Sequence, residues 1–172
     1  MNKGLELIEA CFLFGVGSEF IDIVIHPQSI VHSMVAFKDG SVLAQMGQPD
    51  MRTPIASALA WPSRMDSGVS PLAFENGLAL DFQPPDIDRF PLLTTCRRVA
   101  SAGQSEKVVL NAANEVAVEA FLAHRISFNA MTSVIEASLD HASEMELESI
   151  EAVIACDERA RAKASEWVNR WS

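Results

Sequence analysis

Phe82-Gln83-Pro84-Pro85-Asp86 is the stretch on which the architecture turns. Two successive prolines can neither continue a helix nor sit in a central strand, so the segment reads as a break. Beyond it, no glycine or proline occurs from Gln104 to Ser172, and apolar residues recur at helical spacing. Before it, glycines and prolines are frequent and short β-type runs alternate with turns. The expectation is an α+β chain. A mixed α/β portion with an antiparallel hairpin sheet precedes a C-terminal bundle of about four helices. The corresponding divisions are 1–81, a linker over 82–91, and 92–172.

Downstream of the break the expected helices are Leu92–Ala102, ending at Gly103; Lys107–Ala123; Ala130–Ala142, capped by Asn129; and a last one from Ile150 to Trp171. Leu110 to Phe121 is expected to dock the bundle on the α/β portion. Upstream, Leu5, Ile8 and Phe12 share one face of a helix over Asn2–Phe14, and Asn2, Glu6 and Glu9 another. Phe20–Ile25 is β-rich. The runs Ser29–Lys38 and Ser41–Gly47 flank Asp39-Gly40, a strong hairpin signal. Counting outward from that turn pairs Phe37 with Val42 and Val35 with Ala44. Thr53 and Pro54 read as N-cap and first residue of a helix that Trp61-Pro62 stops.

Composition narrows the function. The formal net charge is −10, and both halves share it: residues up to Asp86 carry 4 basic and 10 acidic side chains, the rest 9 and 13. No basic stripe exists to follow a phosphate backbone, so nucleic acid is not an expected partner. An acidic surface also disfavours anionic membranes. Cys11, Cys96 and Cys156 are odd in number and far apart, without a CxxC pair, and read as reduced thiols. No signal-peptide pattern and no membrane-length apolar run is seen. A soluble cytoplasmic protein is expected.

Several residues carry possible chemistry. Asn2, Lys3 and Glu6 stand three or four apart, so they share one helix face. Lys3 near a helix N-terminus suits a phosphate, and Glu6 one turn on suits a hard divalent cation. An ordinary surface Lys–Glu pair explains the same spacing. His26 and His32 flank Pro27-Gln28-Ser29, but that spacing matches no metal motif, and hydrogen-bonded histidines at strand ends are the commoner case. Gly15-Val16-Gly17-Ser18-Glu19-Phe20 fails as a dinucleotide fingerprint, because Phe20 replaces the third glycine and a helix precedes it. Asn111, Asn114 and Glu115 read as structural polar groups, and Trp61, Trp167 and Trp171 as core anchors.

Taken together, Met1-Asn2-Lys3-Gly4-Leu5-Glu6, Ile25-His26-Pro27-Gln28-Ser29, His32-Ser33-Met34, Asp39 to Gln45, Pro49 to Ala56, Asp88-Arg89-Phe90-Pro91 and Leu110 to Val118 resemble the 1-deoxy-D-xylulose 5-phosphate reductoisomerases, in family order. The resemblance implies a rearrangement of a phosphorylated sugar on Mg²⁺ or Mn²⁺, then reduction with NADPH, in the methylerythritol phosphate route to isoprenoids. It makes Asn2 and Lys3 ligands for the substrate's hydroxyl and phosphate groups. It makes Glu6 a catalytic residue, one of three metal-binding carboxylates that also approaches substrate oxygens. Pro49 and Met51 match a pocket-lining loop, and His32 a supporting histidine of the substrate site. A homodimer is implied as well.

The family's NADPH-binding Rossmann domain, two further metal carboxylates and a mobile lid have no counterpart in these residues. One carboxylate does not organise a tight Mg²⁺ site. The chain by itself is therefore expected to be inactive. The alternative function is a catalytically inactive structural and dimerisation module, with a generic acidic interaction domain a distant third.

Overall fold

The structure is a computed structural model describing residues 1–142 and 145–172. Among these lie six α-helices and a two-stranded antiparallel sheet, as the α+β expectation requires. In order they are α1 (Asn2–Phe14), β1 (Val31–Ala36), β2 (Val42–Met46), α2 (Arg52–Ala60), α3 (Leu92–Ala100), α4 (Gln104–Leu122), α5 (Phe128–Asp140) and α6 (Ile150–Arg170). Packing divides the chain into two units, Met1–Asp22 with Asp86–Ser172, and Ile23–Pro85. Helix α1, grouped by the sequence division with residues 1–81, thus packs with the helices. The second crossing, between Pro85 and Asp86, falls within the expected linker.

In the helical unit α4 is the central element, packed on α3, α5 and α6. Leu110, Ala112, Ala113, Ala117 and Ala120 of α4 are fully buried. Alanine along this helix lets neighbouring backbones approach closely while keeping high helix propensity. Val134, Ile135 and Leu139 of α5 and Cys156, Ala160, Ala164 and Val168 of α6 complete the core. The buried positions of the expected docking face Leu110–Phe121 pack inside the bundle itself. The cap of α5 is also corrected. Ser127 Oγ accepts the N–H of Ala130 at 3.3 Å, and Asn129 lies inside the helix. Phe128 packs edge-on against Phe121 with centroids 5.8 Å apart, which draws the helix start back to Phe128. Ser149 caps α6 in the same way, accepting from Ala152 at 3.1 Å.

Helix α1 seats on α3, and its buried face is Gly4, Leu7 and Ile8. Phe12, expected on that face, is 67% exposed. The helix ends where Gly15 takes the left-handed conformation, φ 63°. The chain then enters a short 3₁₀ turn, Ser18–Phe20. Arg97 of α3 donates to the carbonyls of Ser18 (2.5 Å) and Ile21 (3.0 Å), pinning the exit from α1. Of the β-rich stretch Phe20–Ile25, the structure records only an isolated bridge between Ile25 and Gln83.

The second unit holds the hairpin β1–β2 and helix α2. The turn lies at the expected residues, but the register differs by one residue from the count based on a two-residue turn. Phe37 N–H donates to Ser41 and Gly40 N–H to Phe37, so Lys38, Asp39 and Gly40 form a three-residue loop with Gly40 at φ +88°. That loop ends in a bulge at its left-handed glycine, which offsets the strands. The observed pairs are Ala36–Val42, Val35–Leu43 and Met34–Ala44. Helix α2 starts at Arg52, one residue before the expected Thr53 cap, because Asp50 Oδ1 accepts the Arg52 N–H at 2.9 Å.

Candidate functional site

Each unit carries one cluster of the residues singled out by sequence. In the helical unit, Asn2, Lys3 and Glu6 occupy the first turns of α1, whose N-terminus has no side-chain cap. Asn2 Nδ2 donates to Glu6 Oε1 at 2.6 Å, and Lys3 Nζ pairs with Glu6 Oε2. Each carboxylate oxygen thus has its own partner. Lys3 and Glu6 keep 62% and 42% of their side-chain surface, so both can reach a ligand from solvent. The face combines a cation, an amide and a carboxylate at the positive end of a helix dipole, a combination that accepts an anionic group.

In the β unit, His32, Pro49 and Met51 line one open cavity of about 560 Å³. His32 reaches it through a feature invisible in the sequence. Val31 opposes Met46 and Ser33 opposes Gln45, so His32 is the extra residue of a β-bulge. A bulge redirects one side chain out of the alternating pattern. Beside it Ser29, also lining the cavity, holds φ +51°, a conformation a non-glycine residue seldom adopts. His26 does not join them. Its Nδ1 bonds the Asp81 carbonyl at 2.8 Å and its ring stacks on Phe82, centroids 4.6 Å apart, which matches the expected hydrogen-bonded role.

Sequence reasoning passed over Asp50 and Arg64 in the same cavity wall. Asp50 takes two-pronged bonds from Arg52, Nε at 3.1 Å and Nη2 at 2.7 Å, and these bonds with the Arg52 amide hold its carboxyl down to about 2. The only sequence signal was an acid two residues before a base at a helix start. Arg64 Nη1 donates to Ser57 at 3.4 Å. Asn111 and Arg161 both bond Glu115, and Arg161 also bonds Asp157, tying α4 to α6. Trp61, expected in a core, is 80% exposed, whereas Trp167 and Trp171 stack at 5.5 Å. Cys11, Cys96 and Cys156 are free thiols, and burial pushes Cys96 and Cys156 up from the ordinary thiol range. No helix among the described residues is long and apolar enough to cross a membrane.

Comparison with known proteins places the chain in a family. Residues 46–163 match the family described as DXP reductoisomerase C-terminal domain. The chain is 57% identical over 170 residues to a 1-deoxy-D-xylulose 5-phosphate reductoisomerase of Pseudomonas putida, covering 99% of this chain and 42% of that protein. The enzyme of Pseudomonas syringae pv. syringae is 56% identical over the same length. The reductoisomerase of Zymomonas mobilis, solved in complex with NADPH, superposes with a TM-score of 0.90 at 47% identity, over 97% of this chain and 44% of that one. A DOX-P reductoisomerase solved with NADPH, fosmidomycin and magnesium gives a TM-score of 0.92 at 44% identity, over 98% and 43%. The chain thus spans less than half the length of these relatives. Sequence and superposition lead to one conclusion: this chain belongs to the DXP reductoisomerase family.

Proposed function

We propose that these residues supply the phosphate- and metal-facing part of an enzyme converting 1-deoxy-D-xylulose 5-phosphate to 2-C-methyl-D-erythritol 4-phosphate in isoprenoid biosynthesis. The observation that carries this is the Asn2–Lys3–Glu6 face at the open N-terminus of α1. Lys3 provides a mobile positive charge for the substrate phosphate, and Asn2 an amide for a substrate hydroxyl. Glu6 is a hard oxygen donor and fits Mg²⁺ or Mn²⁺ as one ligand. The described residues hold no group of three or more His, Cys, Asp or Glu able to bind a metal, so the remaining ligands come from elsewhere. When bound, such a cation acts as a Lewis acid on adjacent substrate oxygens. Were Glu6 to hold the cation, Lys3 would be released from its pairing with Glu6 to face the substrate phosphate. His32, Pro49 and Met51 shape the cavity that we assign to the substrate side, and NADPH is held by other residues. In this reading 1–81 belongs to the catalytic and dimerising part, 82–91 links, and 92–172 is the helical part, in a cytoplasmic protein.

In the complete enzyme Glu6→Gln abolishes turnover without unfolding, since it removes charge from a partly exposed position. Lys3→Ala mainly raises KM, because a phosphate is held alike in ground and transition states. Near-normal kcat with Mg²⁺ in Glu6→Gln would refute the assignment. A second reading, a structural module without activity of its own, is favoured by the single carboxylate of the face. Turnover by the isolated 172-residue protein would eliminate it.

We also propose that the hairpin mediates a homodimer. Val35 and Leu43 on one face are 57% and 66% exposed, and Met34 and Val42 on the other 44% and 55%. A two-stranded ribbon cannot cover both of its own faces.

A further inference from the structure

Gly4 sits in the middle of the proposed ligand face, between Lys3 and Glu6, yet points the opposite way. It is buried against Cys96 of α3. A Cβ added at Gly4 would fall 2.6 Å from the Cys96 Cβ, closer still to its Sγ, and 3.7 Å from the Leu92 carbonyl oxygen. Carbon atoms rest comfortably at about 3.5–4.0 Å, so a methyl group here forces a displacement on the order of 1 Å. Helix α3 is poorly placed to yield. Cys96 and Val99 are fully buried, the Thr95 hydroxyl bonds Glu136 of α5 at 3.2 Å, and Arg97 grips the Ser18 and Ile21 carbonyls. Helix α1 yields more easily at its first turn. That turn has no side-chain cap, whereas Leu7 and Ile8 anchor the second turn in the core.

We propose that the Gly4–Cys96 contact is a positioning device for the proposed active face, setting how far the first turn of α1 stands from α3. The inference rests on the functional reading of Asn2, Lys3 and Glu6. Asn2 and Lys3 ride on that first turn and both bond Glu6 one turn on, so a push at Gly4 displaces the phosphate ligand against the metal ligand. Gly4 and Cys96 act through others and touch no substrate. A misplacement of this size is enough to cost about 10²-fold in kcat/KM.

The test uses the complete enzyme carrying this chain, with 1-deoxy-D-xylulose 5-phosphate, NADPH and Mg²⁺ as probes. Gly4→Ala is expected to lower kcat/KM by roughly 10²-fold, to raise the Mg²⁺ concentration needed for half-maximal rate, and to weaken calorimetric binding of the substrate without NADPH. Adding Cys96→Gly removes both clashing atoms and should restore most of the loss. Adding Cys96→Ala leaves the 2.6 Å Cβ contact and should not. A melting temperature lowered in Gly4→Ala, with KM, Mg²⁺ dependence and substrate binding unchanged, overturns the proposal and leaves Gly4 a packing residue. Equal rescue by Cys96→Ala and Cys96→Gly also overturns it. Lys3→Ala run in parallel separates the two levels. If it leaves substrate binding intact, the functional reading fails. If it weakens binding while Gly4→Ala does not, only the positioning inference fails.

Discussion

The two units solve the burial problem differently. The helical unit hides its apolar residues within itself, with Leu110, Val99, Val134 and Val168 fully inaccessible. The unit Ile23–Pro85 exposes Val35, Phe37, Val42, Leu43, Ile55 and Leu59, and of its large apolar side chains none is buried in the chain alone. Both are apolar in composition, so hydrophobicity does not separate them. Geometry does. A helix needs only one covered stripe, and the five helices of that unit supply stripes to one another, whereas a single hairpin offers two faces and covers neither. A core that closes on itself specifies a fold. An apolar surface that stays open in the chain alone is left for a partner to cover, as in the dimer we propose.

The sharpest way to break this contrast is to truncate matched leucines. Leu110→Ala is expected to cost about 2–5 kcal/mol in urea denaturation, and Leu43→Ala under 0.5 kcal/mol, roughly a surface substitution. Equal losses would show that the hairpin is covered in the monomer. Next in size is association. Phe37→Glu should weaken self-association by roughly tenfold or more, since it places a charge in an apolar contact, and light scattering across a dilution series reads this directly. A wild-type protein that stays monomeric at every concentration refutes the dimer instead.

Helical periodicity made the bundle legible, as did the break at Pro84-Pro85. Boundaries and faces were less so. Ser127 and Asn129 are both competent caps, and the choice was made by Phe128 meeting Phe121, a contact between separate helices. The hairpin was visible at Asp39-Gly40, but its register depended on whether the loop held two residues or three. One residue there changes every cross-strand pair. At the site, Asn2, Lys3 and Glu6 could be read because helical spacing alone brings them together. The bulge at His32, the strained Ser29 and the Asp50–Arg52 pair could not, since each depends on a backbone path that no local pattern encodes.

Smaller effects sharpen the contrast further. Ser127→Ala should destabilise the helical unit by about 1 kcal/mol, with Asn129→Ala nearly silent. A reversed order would return the cap to Asn129. Smallest is the Asp50–Arg52 pair, which solvent screens. Because the Asp50 carboxyl is held down to about 2, its stabilisation is present above the unfolded carboxyl's ordinary value, near pH ~4, and is lost as pH falls towards 2. An acid titration of Asp50→Asn should therefore run parallel to the wild type above that value and converge with it below.

The bridge between Ile25 and Gln83 bears on how the gene can change. Its two backbone bonds, 2.8 and 2.9 Å, clasp the outgoing and returning segments of the β unit side by side. The β unit is thus topologically an insert, spliced into the helical unit between Asp22 and Asp86 with its two ends already apposed. Closing a longer or shorter excursion behind such a clasp changes the loop entropy by only about 0.6 kcal/mol per doubling of length. Insertions and deletions between the clasped residues should leave α1 and α3 to α6 intact, so the β unit can be resized, grafted or replaced by a tight turn while the bundle folds as before.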